Sequence, residues 1–250
     1  MDRVAVISVV RDFDMYGRCV RDNLFVHGCE LHAIDNTAKN EGIGVCYNRF
    51  LAGFDFSNPA WLVFCHEDFE LKEDLRPHLS DLDKNALWGP IGAVTAVRFG
   101  VYHEWRLVGQ VEQSEKDGSR AFMHGCKVPP GTPVETFDCQ CLIVHSSLVA
   151  SSNLRFDETL TFDLYAEDFC MFAAAKGIRS RILPFAARHW SGGNIHPRYA
   201  VQEAYINAKY PDVCFTGTSS WVLGGNPPFF RRLTCAAKRF ALRLIEKKNG

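Results

Sequence analysis

The first apolar run, 4–10 (VAVISVV), is mostly β-branched, lacks the alternation of a half-exposed strand, and is too short for a helix. Such a run suits a strand buried on both faces of a parallel sheet. After it, Tyr16, Cys19, Val20 and Leu24 recur at helical spacing, and His27-Gly28 closes that helix. A second short strand, CELHAID, ends at Asp35-Asn36. A helix over about 42–53 follows, with Val45, Tyr47, Phe50 and Leu51 on its repeat. The turn Ser57-Asn58-Pro59 leads into a third strand, AWLVFC. Strand, helix, strand, helix, strand in this compass reads as a nucleotide-binding type of α/β half with right-handed crossovers.

Beyond residue 70 the pattern changes. A short helix near 73–83 precedes ALWGPIGAVTA and EWRLVGQVEQ, which read as strand pairs, and the polar, glycine-containing stretch 114–133 reads as a loop. FDCQCLIVH reads as a strand, LYAEDFCMFAAAKG as a helix closed by Gly177, and RILPFAA as a strand. Helices over about 199–209 and 231–248 complete the chain, with no internal repeat.

With 250 residues, 47% of them hydrophobic and 23% charged, the composition is globular and excludes disorder, collagen and coiled coil. No apolar run approaches the roughly 20 residues that cross a bilayer. The start of the chain shows no apolar segment ending in a cleavage site. The expectation is a cytoplasmic protein whose ten cysteines are reduced thiols, mostly set in apolar segments. A net charge of -1 argues against nucleic acid as a partner. That charge is uneven, because seven basic residues in 231–248 face only Glu246. With Leu233, Ala237, Phe240, Ala241 and Leu244 toward one face, this segment is expected to form an amphipathic helix that packs on the acidic body or touches an anionic membrane surface.

Three places carry candidate chemistry. His66-Glu67-Asp68 follows the buried strand AWLVFC, and ligands in open α/β sheets bind beyond the carboxyl ends of strands. A carboxylate with an imidazole there can hold Mn2+ or Mg2+ beside phosphate oxygens; the plainer reading is a solvated acidic turn. Glu167-Asp168 opens a helix among Phe162, Leu164, Tyr165 and Phe169. Acids in a first turn favour the helix dipole, but apolar surroundings also raise a carboxyl group toward a useful base. His189-Trp190 ends a strand and opens a glycine-containing loop, Ser191 to Asn194. A fourth grouping, His124, Cys126, Cys139 and Cys141, offers zinc donors at a spacing shorter than fingers and ribbons use, and ordinary buried or loop cysteines are the favoured reading.

Taken in order, these motifs resemble the nucleotide-sugar-dependent glycosyltransferases of the GT-A fold, the family 2-like group, over about 4–194. His66-Glu67-Asp68 stands where that family has its Asp-x-Asp motif, as a His-x-Asp variant. Asn40, Gly42 and Asn48 of NEGIGVCYNRFLAGF look like its Asn-x-Gly…Asn segment, and YAEDFCMFAAAKG looks like its Glu-Asp helix. The resemblance implies a single α/β domain over 1–225 with a mixed, mostly parallel central sheet flanked by helices. Its nucleotide-binding half is about 1–70, its acceptor half about 85–195, and 226–250 forms a basic helical tail. It implies a donor site of Val9, Arg11, Asp35, Asn36, Asn40, Asn48, His66, Glu67 and Asp68. His66, Asp68 and His189 are the implied metal ligands, and Asp138 and Trp190 the implied acceptor contacts. Asp168 is the implied catalytic base, supported by Glu167. The implied reaction moves a sugar from a nucleotide diphosphate sugar, UDP-linked, to a hydroxyl of a glycan or lipid-linked glycan. It is assisted by Mn2+ or Mg2+ and inverts the anomeric carbon, as in polysaccharide biosynthesis. His66 replaces the family's first aspartate and brings no negative charge, which leaves Asp68, with His189, to hold the cation. The alternatives are a non-catalytic nucleotide- or glycan-binding relative and a zinc-stabilised interaction module.

Overall fold

The computed structural model describes residues 2–98, 102–192, 197–220 and 222–226. The basic segment 231–248, with its expected helix and membrane contact, lies outside the described residues, as do Gly193 and Asn194. Among the described residues no helix is long and apolar enough to cross a membrane.

The fold is α/β, with a mixed central sheet flanked by helices, as the sequence implies. β1 (Arg3–Val10) lies parallel between β2 (Glu30–Asp35) and β3 (Ala60–Cys65). The missing alternation in these runs has a simple cause, since both faces of the sheet are covered. Ala5, Ile7, Leu62 and Phe64 pack on Ile43, Cys46, Tyr47 and Leu51 of α2 (Ile43–Gly53). Val4, Val6, Trp61 and Val63 point the other way, into a second core with Tyr16, Cys19 and Val20. Burying each of the Val, Leu, Ile and Phe side chains among these contributes about 1.5–3 kcal/mol.

The helix expected after β1 is replaced by three short pieces. α1 (Phe13–Tyr16) runs into a wide π turn (Gly17–Arg21), and a 3-10 turn follows at Leu24–Val26. Asn23 causes the break. Its amide donates to the carbonyls of Cys19 and Leu71, while its side-chain oxygen accepts from the Phe25 amide, so the side chain takes over partners that a helix would have used. Leu24, placed on the apolar stripe by its spacing, is 74% exposed, and Val26 is buried instead.

β4 (Phe69–Leu71) and α3 (Arg76–Leu79) come next, the latter shorter than the expected 73–83. β5 (Ala86–Gly89), β6 (Ile91–Arg98) and β7 (Tyr102–Ser114) bear out the expected strands, with β6 and β7 antiparallel. The expected loop 114–133 holds β8 (Ala121–Cys126), paired antiparallel to β7 through a bulge at Val108/Gly109. Gly109 has φ +84, and a Cβ there would lie 2.0 Å from the Pro90 carbonyl oxygen, so the bulge requires glycine. β8 escapes the sequence pattern because Phe122 and Met123, one on each side of the strand, are both exposed. β9 (Pro133–Val134), β10 (Thr136–Phe137) and β11 (Cys141–His145) precede α4 (Ser146–Ser151) and α5 (Tyr165–Ala174). β12 (Arg179–Ile182), β13 (Ala187–His189) and α6 (Arg198–Lys209) follow.

The strands form two sheets. One has the order β2-β1-β3-β11-β5-β12-β9; the other has β10-β6-β7-β13-β4, with β8 added on β7. The chain passes between them repeatedly, among other places at 66–68, at Pro90, at 138–140 and at 183–186. Two of these crossings carry the candidate chemistry, and the His66 amide joins them by donating to the Gln140 carbonyl at 3.1 Å.

Candidate active site

A cleft of about 970 Å³ opens beyond the carboxyl ends of β1 and β3, where the two sheets meet. His66, Glu67 and Asp68 enter it because β3 stops at Cys65 and the chain must cross to β4. His189 enters from the end of β13, which pairs antiparallel with β4 in the register His189 to Phe69. The crossing is pinned by the Trp190 amide, which donates to the Asp68 carbonyl at 2.9 Å.

His66, Asp68 and His189 converge, each offering one ligand atom within 4.8 Å of the others. His66 Nδ1 is 3.3 Å from His189 Nε2, and Asp68 Oδ1 is 3.2 Å from the same nitrogen. On the far side of the ring, His189 Nδ1 lies 3.3 Å from Gln113 Oε1. A neutral His189 with its proton on Nδ1 turns an Nε2 lone pair toward an Asp68 oxygen, and a divalent cation between the two would satisfy both. Without a cation a protonated Nε2 donates to Asp68 instead, and the donor set fits a divalent cation. Burial drives the His66 imidazole down to about 4, with the charge of Asp68 opposing and that of His189 assisting. His66 is therefore neutral, as a ligand must be. Burial pushes the Asp68 carboxyl upward but is outweighed by His189 and then His66, and the group stays below its usual range.

Glu67 faces the loop after β1. Its Oε2 accepts from the amides of Arg11 and Asp12 at 2.5 and 2.9 Å, which ties the carboxyl ends of β1 and β3 together. Burial raises this carboxyl, against those two amides. Val9, Arg11, Asn36 and Asn40 also line the cleft. The Asn36 side chain is spent on the backbone of Glu41, donating to its carbonyl and accepting from its amide, and so shapes the loop ahead of α2.

α5 brings the second acid. It begins at Leu164, a non-glycine residue at φ +63, a conformation that L residues adopt only under local constraint. Glu167 and Asp168 are almost wholly buried, at 2% and 1% exposure, and they point to different places. Glu167 lines the cleft. Its Oε1 accepts from Thr218 Oγ1 at 2.8 Å and its Oε2 from the Cys139 thiol at 3.2 Å. Burial, then the negative charge of Asp138, pushes its carboxyl up to about 7, with Thr218 and Cys139 opposing. Asp168 does not line the cleft. Its Oδ1 accepts from Lys209 Nζ at 2.7 Å and Tyr210 Oη at 3.0 Å, and Lys209 also donates to Asp157 at 2.6 Å. Asp168, the base that the resemblance implies, thus fastens α6 to α5 in this structure, and its neighbour Glu167 faces the cleft.

Asp138 lines the cleft, as Glu167 does. Trp190 does not. Its ring packs against the guanidinium groups of Arg18 and Arg188, at 4.1 and 4.8 Å, and its Nε1 donates to Glu70 at 2.8 Å. Asp35 is exposed and binds Thr37, and Asn48 joins α2 to Phe156 and Glu158; neither reaches the cleft. The zinc grouping is not assembled, because Cys139 turns to Glu167, Cys126 to the Leu107 carbonyl, and Cys141 into the core beside Cys65. The sequence reading missed Gln113, Thr218 and Phe122, which line the cleft, as does His124, read from the sequence only as a zinc donor. Phe162, noted only as an apolar neighbour, stacks on His66 at 5.7 Å and carries the Arg198 guanidinium at 4.7 Å.

No family model matches the chain, and no curated protein matches its sequence. Solved structures share part of its backbone course. GalNAc-T7 with UDP, GalNAc and Mn2+ aligns at a TM-score of 0.47 and 10% identity, over 82% of this chain and 48% of its own. TarS of S. aureus aligns at 0.49 and 12% identity, over 81% of this chain and 38% of its own. The chain thus spans less than half the length of either structure.

Proposed function

We propose that this chain transfers a sugar from a nucleoside diphosphate sugar, UDP-linked, to a hydroxyl of a glycan or lipid-linked glycan, inverting the anomeric carbon. The observation that supports it is the meeting, in one cleft, of a two-imidazole, one-carboxylate donor set with a separate carboxyl group held near neutrality. The two sets of groups suit the two charges that such a transfer creates.

As the anomeric carbon parts from the donor, the bonding electrons leave with the diphosphate. A divalent cation on His66, Asp68 and His189 would offset that growing negative charge. Two imidazoles in the set favour Mn2+ over Mg2+, which prefers oxygen. Arg11 stands at the same end of the cleft, on a loop that Glu67 fixes through two amides. On the other side an acceptor oxygen bonds to the anomeric carbon and gives up its proton. Glu167 takes that proton: a carboxyl group with a value near 7 is ionised in half the molecules at neutral pH and holds a proton well once it has one. Asp138, more exposed and close by, holds the acceptor. One displacement with one base gives inversion.

The test is the melting temperature with UDP, GDP, CDP and ADP, each with and without Mn2+, followed by an assay for nucleotide released from the matching sugar donors. A ligand that binds only the folded chain raises the melting temperature by mass action. A Mn2+-dependent rise with UDP, and UDP release from a UDP-sugar, is the expected result. A rise without release from any donor supports the non-catalytic binding relative, and no rise with any nucleotide overturns the reading.

A further inference from the structure

Gln113 is a buried polar side chain beside the cleft whose two ends are both committed, and one of those ends faces a neighbouring imidazole. Gln113 is 6% exposed and His189 is 7% exposed. They sit side by side because β13 and β7 are parallel in a register that pairs His189 with Gln113. On its other side Gln113 pairs with Phe122 of β8. The three strands thus place Phe122, Gln113 and His189 in one row, and all three line the cleft.

The amide of Gln113 has one orientation. Its Nε2 donates to the Ser191 carbonyl, which can only accept, so its Oε1 is the atom that faces His189 Nδ1 at 3.3 Å. An amide oxygen can only accept, so the His189 proton is on Nδ1. In the neutral ring that can ligate a cation, the lone pair is then on Nε2, facing Asp68 Oδ1 at 3.2 Å and His66 Nδ1 at 3.3 Å. The other tautomer would set a lone pair against the Gln113 oxygen and a proton where the cation belongs.

We infer that Gln113 is a positioning residue for the cation site, fixing the tautomer and ring orientation in which His189 offers Nε2. This rests on the reading of His66, Asp68 and His189 as cation ligands. Groups that hold the far nitrogen of a ligating histidine typically govern metal affinity by about 10- to 100-fold.

The experiment titrates Mn2+ alone into the whole chain, with free Mn2+ read from its electron paramagnetic resonance signal. It compares wild type, Gln113→Leu, Gln113→Glu and His189→Ala, with melting temperatures recorded in parallel. Gln113→Leu is expected to bind Mn2+ about 10- to 100-fold more weakly than wild type. Gln113→Glu keeps an acceptor for Nδ1–H and loses the donor to Ser191. It is expected to hold Mn2+ within a few-fold of wild type while melting lower, a split that a merely structural role would not produce. Wild-type affinity in Gln113→Leu, or a loss in Gln113→Glu as large as in Gln113→Leu, overturns the inference while leaving the cation site standing. Absence of Mn2+ binding in wild type, or undiminished binding in His189→Ala, removes the cation site itself and this inference with it.

Discussion

Asp68 and Glu167 both line the cleft and are both largely withdrawn from water, yet their carboxyl groups are driven in opposite directions. For each, burial is the largest influence and pushes the group upward. Around Asp68 it is outweighed by two imidazoles, and the group stays below its ordinary 3.8. Around Glu167 the helpers are a hydroxyl and a thiol, both neutral, and the nearest charge is another carboxylate, so burial prevails and the group reaches about 7. Burial alone therefore does not decide what a carboxyl group in this cleft can do; the charge type of its neighbours does. Asp68 is equipped to hold a cation and Glu167 to hold a proton.

The largest expected effect tests that division within α5. Glu167→Gln should lower transfer by roughly 10²- to 10⁴-fold while leaving nucleotide-dependent thermal stabilisation intact. Asp168→Asn should leave transfer per folded molecule near wild type. If steady-state assays give the reverse, the base is the residue that the resemblance named, and the side chains of α5 must rearrange when substrate binds.

A second expectation concerns pH and stability. A carboxyl group whose folded value lies above its ordinary 4.5 binds its proton more tightly in the folded chain. The stability from Glu167 is then complete below 4.5 and lost as pH rises through about 7. Glu167→Gln removes that loss, so its stability relative to wild type should be higher at pH 8 than at pH 4.5, by at most about 3 kcal/mol. Asp68 works in the other sense: its contribution is present above 3.8 and disappears as pH falls through its lowered value. Urea denaturation of both proteins at the two pH values reads the difference directly, and equal gaps at both would show that Glu167 titrates normally.

A smaller stability effect belongs to the rear of the same helix. Asp168→Asn leaves Lys209 with Asp157 as its remaining carboxylate partner. Removing one side of a buried ion pair is costly, although the half-buried lysine and its second partner soften the loss, and about 2 kcal/mol is expected in urea denaturation. A loss below a few tenths of a kcal/mol would mean that α6 is not fastened to α5 through this pair.

These opposed roles explain what the sequence made readable. β3 and the crossing after it were legible because six buried residues end abruptly in His66-Glu67-Asp68. α2 was legible because its apolar positions follow one face. α5 was recognisable as a helix, but its orientation was not: Tyr165 through Met171 are all buried, so no apolar stripe tells which of two adjacent acids meets the cleft. Gln113 could not be found at all, because its role arises from a strand register joining residues 76 apart in the chain. The resemblance implied Trp190 as an acceptor contact, but a strand end sends successive side chains to opposite faces, and Trp190 is not among the residues that line the cleft beside His189.

The finest test of the comparison is a single hydroxyl. Thr218 Oγ1 donates to Glu167 Oε1, and it favours the charged form because a carboxylate accepts more strongly than a carboxylic acid. Thr218→Val keeps the side-chain shape and removes the donor, leaving Glu167 with the Cys139 thiol and the repulsion of Asp138. The acidic limb of kcat/KM against pH should then move to higher pH by roughly one unit, the equivalent of one net hydrogen bond. Thr218→Ser, which restores the donor, should bring it back. A limb that stays in place in Thr218→Val, with transfer otherwise intact, would assign the titrating base to the more exposed Asp138 and reduce Glu167 to its support.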